Sequence, residues 1–150
     1  MNQLYITFLP QFLPDWELVK FIQTSKLGEK HKHHVYSRLP SDYSWKRAIR
    51  DCNWEVFNWM RSRDPRIEKL ACSYVAFAGN MTALEKLKSL GCSWDAETCS
   101  MAAFRGRLEM LQWLRTQEPP CPWSKRTFSG AAVGGNIKVI RWLRMNGCPE

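Results

Sequence analysis

The chain has 150 residues, 45% hydrophobic, 13% aromatic and 24% charged, which is enough apolar material to bury a core and too much for a disordered chain. No run approaches the roughly 20 consecutive apolar residues of a membrane-spanning helix, and the opening MNQLYITFLPQFLP lacks the basic stretch of a secretory signal. The formal charge of +8 brings nucleic acid or an acidic partner into view, but the basic residues are spread singly between apolar positions, the pattern of a solvated surface.

Residues 12–26, FLPDWELVKFIQTSK, read as an amphipathic helix with Asp15 at its N-cap and Leu18, Phe21 and Ile22 on one face, the signature of a helical cap. His31, His33 and His34 follow in EKHKHH. With no carboxylate or cysteine at ligand spacing and with Lys30 and Lys32 beside them, they predict a solvated linker and no metal site. Residues 1–42 are thus expected to form a cap plus linker, and residues 43–150 a second region.

That second region repeats. CSYVAFAGNMTALEKLKSLGCSWDAET from Cys72, CSMAAFRGRLEMLQWLRTQEPPCPWSKRT from Cys99 and FSGAAVGGNIKVIRWLRMNGCPE from Phe128 align in one register. Ala76, Ala103 and Ala132 coincide, as do Gly79, Gly106 and Gly135, then Leu84, Leu111 and Ile140, then Leu87, Leu114 and Leu143. A weaker fourth copy places Ile49 under Ala76, Cys52 under Gly79, Phe57 under Leu84 and Met60 under Leu87; with its glycine lost, a strained or rebuilt turn is expected there.

Each unit reads as two short helices. Thr98 is the expected cap of a first helix running through Met101 and Phe104, and Gly106 breaks it. A second helix follows from about residue 108, with Leu108, Leu111 and Leu114 on one face. Arg61, Lys88, Arg115 and Arg144 share one repeat position near its end, where a cation complements the helix dipole. Trp94 and Trp123 are equivalent loop residues, while Trp113 and Trp142, replaced by Lys86 in the preceding unit, are expected to be half exposed. Cys72 and Cys99 stand 27 apart and Cys92, Cys121 and Cys148 stand 29 and 27 apart, the spacing of the repeat and not of C-x-x-C pairs, so reduced thiols are expected in a cytoplasmic or nuclear protein.

Such units cannot bury their apolar faces alone and must stack, which predicts an all-α solenoid of helix-turn-helix repeats. Residues 97–106, ETCSMAAFRG, resemble the T-P-L-H-x-A-A-x-x-G of the ankyrin repeat. Three units from Leu70 onward carry the resemblance, and it weakens back to about Tyr43. The T-P-L-H tetrapeptide is absent and the period is 27 to 29 instead of 33. The C-P-W loops are similar to those of ankyrin arrays in giant DNA viruses and some protists, which would put the protein in a host cell. The last unit stops at Gly147-Cys148-Pro149-Glu150 without a polar capping repeat, so a truncated array or a partner covering its last face is expected, with Leu143 and Trp142 near that face.

The N-terminal helix also resembles the second half of an F-box through Leu13, Pro14, Leu18, Val19, Phe21 and Thr24-Ser25-Lys26. The resemblance implies adaptor binding through Leu13, Pro14, Leu18, Val19 and Phe21 to a Skp-type adaptor, and substrate recruitment to a cullin-type ubiquitin ligase. The first half of the motif is short and interrupted by Pro10.

No phosphate loop, G-x-S-x-G elbow, H-E-x-x-H pair or C-x-x-C redox pair is present, so neither catalysis nor a cofactor is expected. The expected function is protein recognition by a monomer with no membrane association. The ankyrin resemblance implies a concave first-helix face with three variable rows: Tyr74, Met101 and Gly130; Phe77, Phe104 and Val133; Ala78, Arg105 and Gly134. Tyr74, Phe77, Met101, Phe104, Arg105 and Val133 are the partner-binding candidates, with Phe77 and Phe104 equally readable as core between units. The competing reading is a basic surface of Lys46, Arg47, Arg50, Arg61, Arg63, Arg66 and Lys69 binding nucleic acid or an acidic partner, which the diffuse charge disfavours.

Overall fold

Backbone hydrogen bonds repeat at the same spacing as the sequence. A computed structural model describes residues 44–150, and every expectation for the N-terminal cap, the F-box-like positions and the histidines lies outside them. Among the described residues all regular structure is α-helical: α1 (Trp45–Arg50), α2 (Trp54–Arg63), α3 (Arg66–Ala78), α4 (Met81–Ser89), α5 (Ala96–Phe104), α6 (Leu108–Thr116), α7 (Lys125–Val133) and α8 (Ile137–Met145). The described residues divide into two compact units, 44–63 and 64–150. In the first, α1 packs on α2. In the second, each odd-numbered helix packs on the even-numbered helix after it, and α3, α5 and α7 lie side by side in that order.

The same turn joins the helices of all four pairs. The amides of Asn53, Asn80, Arg107 and Asn136 donate to the carbonyls of Ala48, Val75, Ala102 and Ala131, at 2.8, 3.3, 2.9 and 2.9 Å. This six-to-one closure requires a left-handed residue just before the donor. Gly79, Gly106 and Gly135 supply it with φ of 79°, 70° and 68°, and Cys52 adopts φ 56° in the copy that lost its glycine. The weakest repeat therefore keeps the turn and carries the strain of a side chain in the left-handed region. Three pairs also close at their far end, where the amides of Cys92, Cys121 and Cys148 donate to the carbonyls of Leu87, Leu114 and Leu143, each at 3.0 Å.

The first helices start where a short polar side chain can accept from the opening amides. Asp95 accepts from the Glu97 amide at 3.1 Å, and Ser124 accepts from the Arg126 amide at 3.3 Å while its own amide donates to the Thr127 hydroxyl at 3.2 Å. Asp95, not Thr98, is thus the cap of α5. An ionised carboxylate suits the positive helix start, whereas Thr98 lies within the first turn and is fully buried.

The core follows the repeat register. Ala71, Cys72, Val75 and Ala76 of α3 and Cys99, Ala102 and Ala103 of α5 are buried, with Leu84 and Leu87 of α4 and Leu111 and Leu114 of α6 behind them. In α6, Met110 is buried and Leu108 is only half-buried, so the apolar face is rotated slightly from the expected one. Leu143 of α8, expected near the last face, is completely buried and lies at the register of the core residues Leu87 and Leu114. Ala132, Val133, Ile137 and Met145 are the exposed apolar residues there. Ala76 and Ala103 in the same register as Ala132 have a following first helix packed beside them, and α7 has none among the described residues.

α7 approaches α5 closely because it is built from small residues. A Cβ on Gly130 would stand 3.0 Å from the Ser100 carbonyl oxygen, and one on Gly134 would collide with the Phe104 carbonyl oxygen. Ser100 and Thr127 meet across the same seam, hydroxyl to hydroxyl at 3.4 Å. The spacing between first helices, and with it the position of every side chain on their outer edge, is set by these small residues.

Candidate functional site: the edge of the first helices

Three of the six candidate partner-binding residues meet in one cluster. Phe77 at the end of α3 and Phe104 at the end of α5 stack with centroids 6.2 Å apart and planes 15° from parallel. The Arg105 guanidinium lies 4.8 Å from the Phe77 centroid. Phe77 and Phe104 nevertheless remain 38% and 36% exposed, and Arg105 is exposed. The two readings of these phenylalanines therefore combine: each ring packs on its neighbour and still presents an open edge.

Tyr74 and Met101 sit one turn earlier on the same helices and are half-buried. Gly130, in the same row, does not face outward as expected, because its α-carbon is against the α5 backbone. Gly134 is exposed, and a Cβ added to it would meet the Phe104 carbonyl oxygen. α7 adds only Val133, 78% exposed, so the apolar edge is centred on α3 and α5.

Two hydrogen-bond donors frame the cluster. Arg107 donates through Nη2 to the carbonyl of Ala78, the last residue of α3, at 3.4 Å. Asn136, at the equivalent position one unit later, donates through Nδ2 to the carbonyls of Ala103 and Phe104 at 3.0 and 2.8 Å. Both side chains reach back to satisfy the open end of the preceding first helix. Among the described residues no carboxylate forms an ion pair with Arg105 or Arg107.

The helix-end cations do a different job. Lys88 lies 4.3 Å over Trp94 and Arg115 lies 4.0 Å over Trp123. Trp94 meets Trp113 edge to face at 5.8 Å, and Trp123 meets Trp142 in the same way at 5.9 Å. A cation, a loop tryptophan and a tryptophan from the next pair thus form a unit that occurs twice. Arg144 instead pairs with Glu150 at 2.7 Å and lies over Phe128 at 5.3 Å. The Trp94–Trp113 and Trp123–Trp142 contacts hold neighbouring pairs together, whereas Arg144 acts within the last pair, and Trp113 and Trp142 are half-buried as expected. The ladder was not anticipated, although the equal spacing from Trp94 to Trp113 and from Trp123 to Trp142 carried its signal.

The basic candidates for nucleic acid are also partly committed. Asp51 pairs with Arg47 at 3.6 Å and Arg50 at 3.9 Å, Asp64 pairs with Arg66 at 2.9 Å, and Arg63 lies over the Trp59 ring. The side-chain hydrogen bond from Arg66 holds the Asp64 carboxyl below its ordinary value.

The six cysteines are free thiols, and Cys52 alone is exposed. Burial pushes the Cys72 thiol up to about 12. A hydrogen bond with Cys99 and burial raise Cys121, and burial raises Cys148. Cys121 and Cys148 donate to the carbonyls of the capping residues Asp95 and Ser124, at 3.5 and 3.7 Å, fastening the end of each pair to its start. These are inert, protonated groups. Among the described residues no cluster of histidine, cysteine and carboxylate could hold a metal ion, and no helix is long and apolar enough to cross a membrane.

No family model, no curated protein and no solved structure matches this chain, so the meaning of the site rests on its own geometry.

Proposed function

We propose that this chain is a non-catalytic protein-recognition scaffold, a solenoid of ankyrin-like helix pairs whose first-helix edge binds a protein partner. The observation that carries this reading is the stacked, half-open Phe77–Phe104 pair beneath Arg105, built by residues at one register of successive helices. Preformed aromatic and arginine groups are what interface hot spots are made of, because they bury much area while losing little side-chain freedom. Further support comes from the shared turn and end closures, which make the helix pairs copies of one unit, and from the internal use of the helix-end cations, which disfavours a basic stripe for nucleic acid.

The test is site-specific photo-crosslinking in a eukaryotic lysate, with the crosslinker at position 104 or, as a control, at the exposed outer position 141. Salt is set at roughly 0.3 M, where attraction between exposed charges is largely screened. A discrete protein adduct at 104, absent at 141 and lost when Phe77 is changed to Ala, is expected. Adducts that are equal at both positions, or that vanish on nuclease treatment, defeat the reading.

A further inference from the structure

We infer that the partner segment recognised at this edge is an acidic peptide bearing an aromatic or long aliphatic side chain, an inference that rests on the protein-recognition reading above. Apolar character comes from Phe77 and Phe104, with Tyr74 and Met101 half-buried behind them. The outward edges of stacked rings carry the positive lobe of the aromatic quadrupole, which favours carboxylate oxygens over further cations.

Charge complementarity selects the acid. Four other cations of residues 64–150 are already matched: Arg66 by Asp64, Arg144 by Glu150, Lys88 by the Trp94 ring and Arg115 by the Trp123 ring. Arg105 and Arg107 are exposed at the cluster with no carboxylate paired to them among the described residues. The Phe77 ring orients the Arg105 guanidinium, and Ala78 fixes that of Arg107, so little freedom remains to be lost when a carboxylate arrives. Helix C-termini repel anions, but here the carbonyls ending α3 and α5 are occupied by Arg107 and Asn136. An acidic segment therefore meets donors at this edge. The net charge of +8 steers such a segment toward the protein.

A nucleic acid fits less well. Nucleobases need open ring faces to stack on, and the Phe77 face is spent on Phe104 and Arg105.

The experiment selects short random peptides displayed on phage against the immobilised full chain, and measures the best synthetic peptide by fluorescence anisotropy. Selected sequences are expected to be net acidic with a Trp, Phe or Leu. Arg105→Glu and Phe104→Ala are each expected to weaken binding at least about tenfold. Arg141→Glu, the same charge change on the exposed side of α8, is expected to weaken it less than about twofold. Circular dichroism verifies the fold of each variant, and the exposed Arg105→Glu decides the matter where Phe104→Ala is unfolded. Neutral or basic peptides that still depend on Phe104 overturn the acidic partner and leave the recognition reading standing. Equal losses from Arg105→Glu and Arg141→Glu reduce the attraction to net charge and overturn the inference. No enrichment, or binding indifferent to both Phe77→Ala and Phe104→Ala, overturns both readings. So does a labelled oligothymidylate that competes the selected peptide away in a strongly salt-dependent manner.

Discussion

The Arg115 guanidinium lies 4.0 Å over the Trp123 ring and at the same time donates from Nη1 to the Cys121 carbonyl at 2.7 Å. One side chain thereby ties the end of α6 to the loop that leads into the next helix pair. Arg115→Ala removes both interactions and is expected to cost about 2 kcal/mol of stability. Arg115→Lys keeps a cation over the ring, as Lys88 does over Trp94, and is expected to lose about half as much. Urea unfolding of the two variants against the parent gives the comparison.

Asn136 is the corresponding tie between α8 and the end of α5. Asn136→Ala strips the Ala103 and Phe104 carbonyls of their side-chain donor and is expected to lower stability by about 1–2 kcal/mol. Asn136→Asp is expected to be worse, since it sets a carboxylate against two carbonyl oxygens at the negative end of a helix. A neutral result for Asp with a loss for Ala would contradict this assignment of the amide.

Cys52 holds a left-handed conformation, φ 56°, at the register of three glycines. Cys52→Gly is expected to stabilise the chain by about 1 kcal/mol, the conformational penalty of a side chain there less the extra entropy of unfolded glycine. Cys52→Val is expected to destabilise it, because branching at Cβ worsens the crowding. The denaturation midpoints of the pair should move in opposite directions.

Gly134 and Gly135 separate two reasons for a glycine. Gly134 has an ordinary φ of −72° but its Cβ would strike the Phe104 carbonyl oxygen, so Gly134→Ala is expected to cost about 1–3 kcal/mol through a forced separation of α7 from α5. Gly135 has open space around it and φ 68°, so Gly135→Ala is expected to cost about 1 kcal/mol from backbone strain alone. A chemical-shift map of the first variant should show changes on α5, and one of the second should be confined to the turn.

The buried thiols set an alkaline limit. Cys72 in the folded chain titrates at about 12, above the ordinary value near 9, so the unfolded chain releases this proton first. The stability contribution is complete below about pH 9 and is lost as pH rises toward 12. Urea midpoints are expected to hold steady to about pH 8.5 and then fall, and Cys72→Ala is expected to reduce that fall. At neutral pH a thiol reagent is expected to modify Cys52 promptly and the five buried thiols only through unfolding.

Much of the helix pattern was legible because it depends on local rules. Leu84 and Leu111 share one register and Leu87, Leu114 and Leu143 another, and all five are completely buried. The turn at Gly79, Gly106 and Gly135 was legible for the same reason, since a left-handed residue after a helix is a property of a few consecutive torsions. The cap of α5 was misplaced by three residues: Thr98 is a good cap in isolation, and the choice of Asp95 depends on which of the two is buried.

The sequence by itself determined the helix pairs, their period and their apolar stripe, because hydrophobic periodicity and turn chemistry act along the chain. Only the tertiary structure decided that Gly130 and Gly134 let α7 close on α5, that Lys88 and Arg115 are taken by tryptophans, and that Phe77, Phe104 and Arg105 form one open cluster. The glycine and phenylalanine relationships join residues 27 to 30 positions apart, and the cation–tryptophan contacts depend on how the loop after each pair folds back on it. The distance between α5 and α7 is set by small residues meeting across a seam, a quantity that a one-dimensional register does not contain.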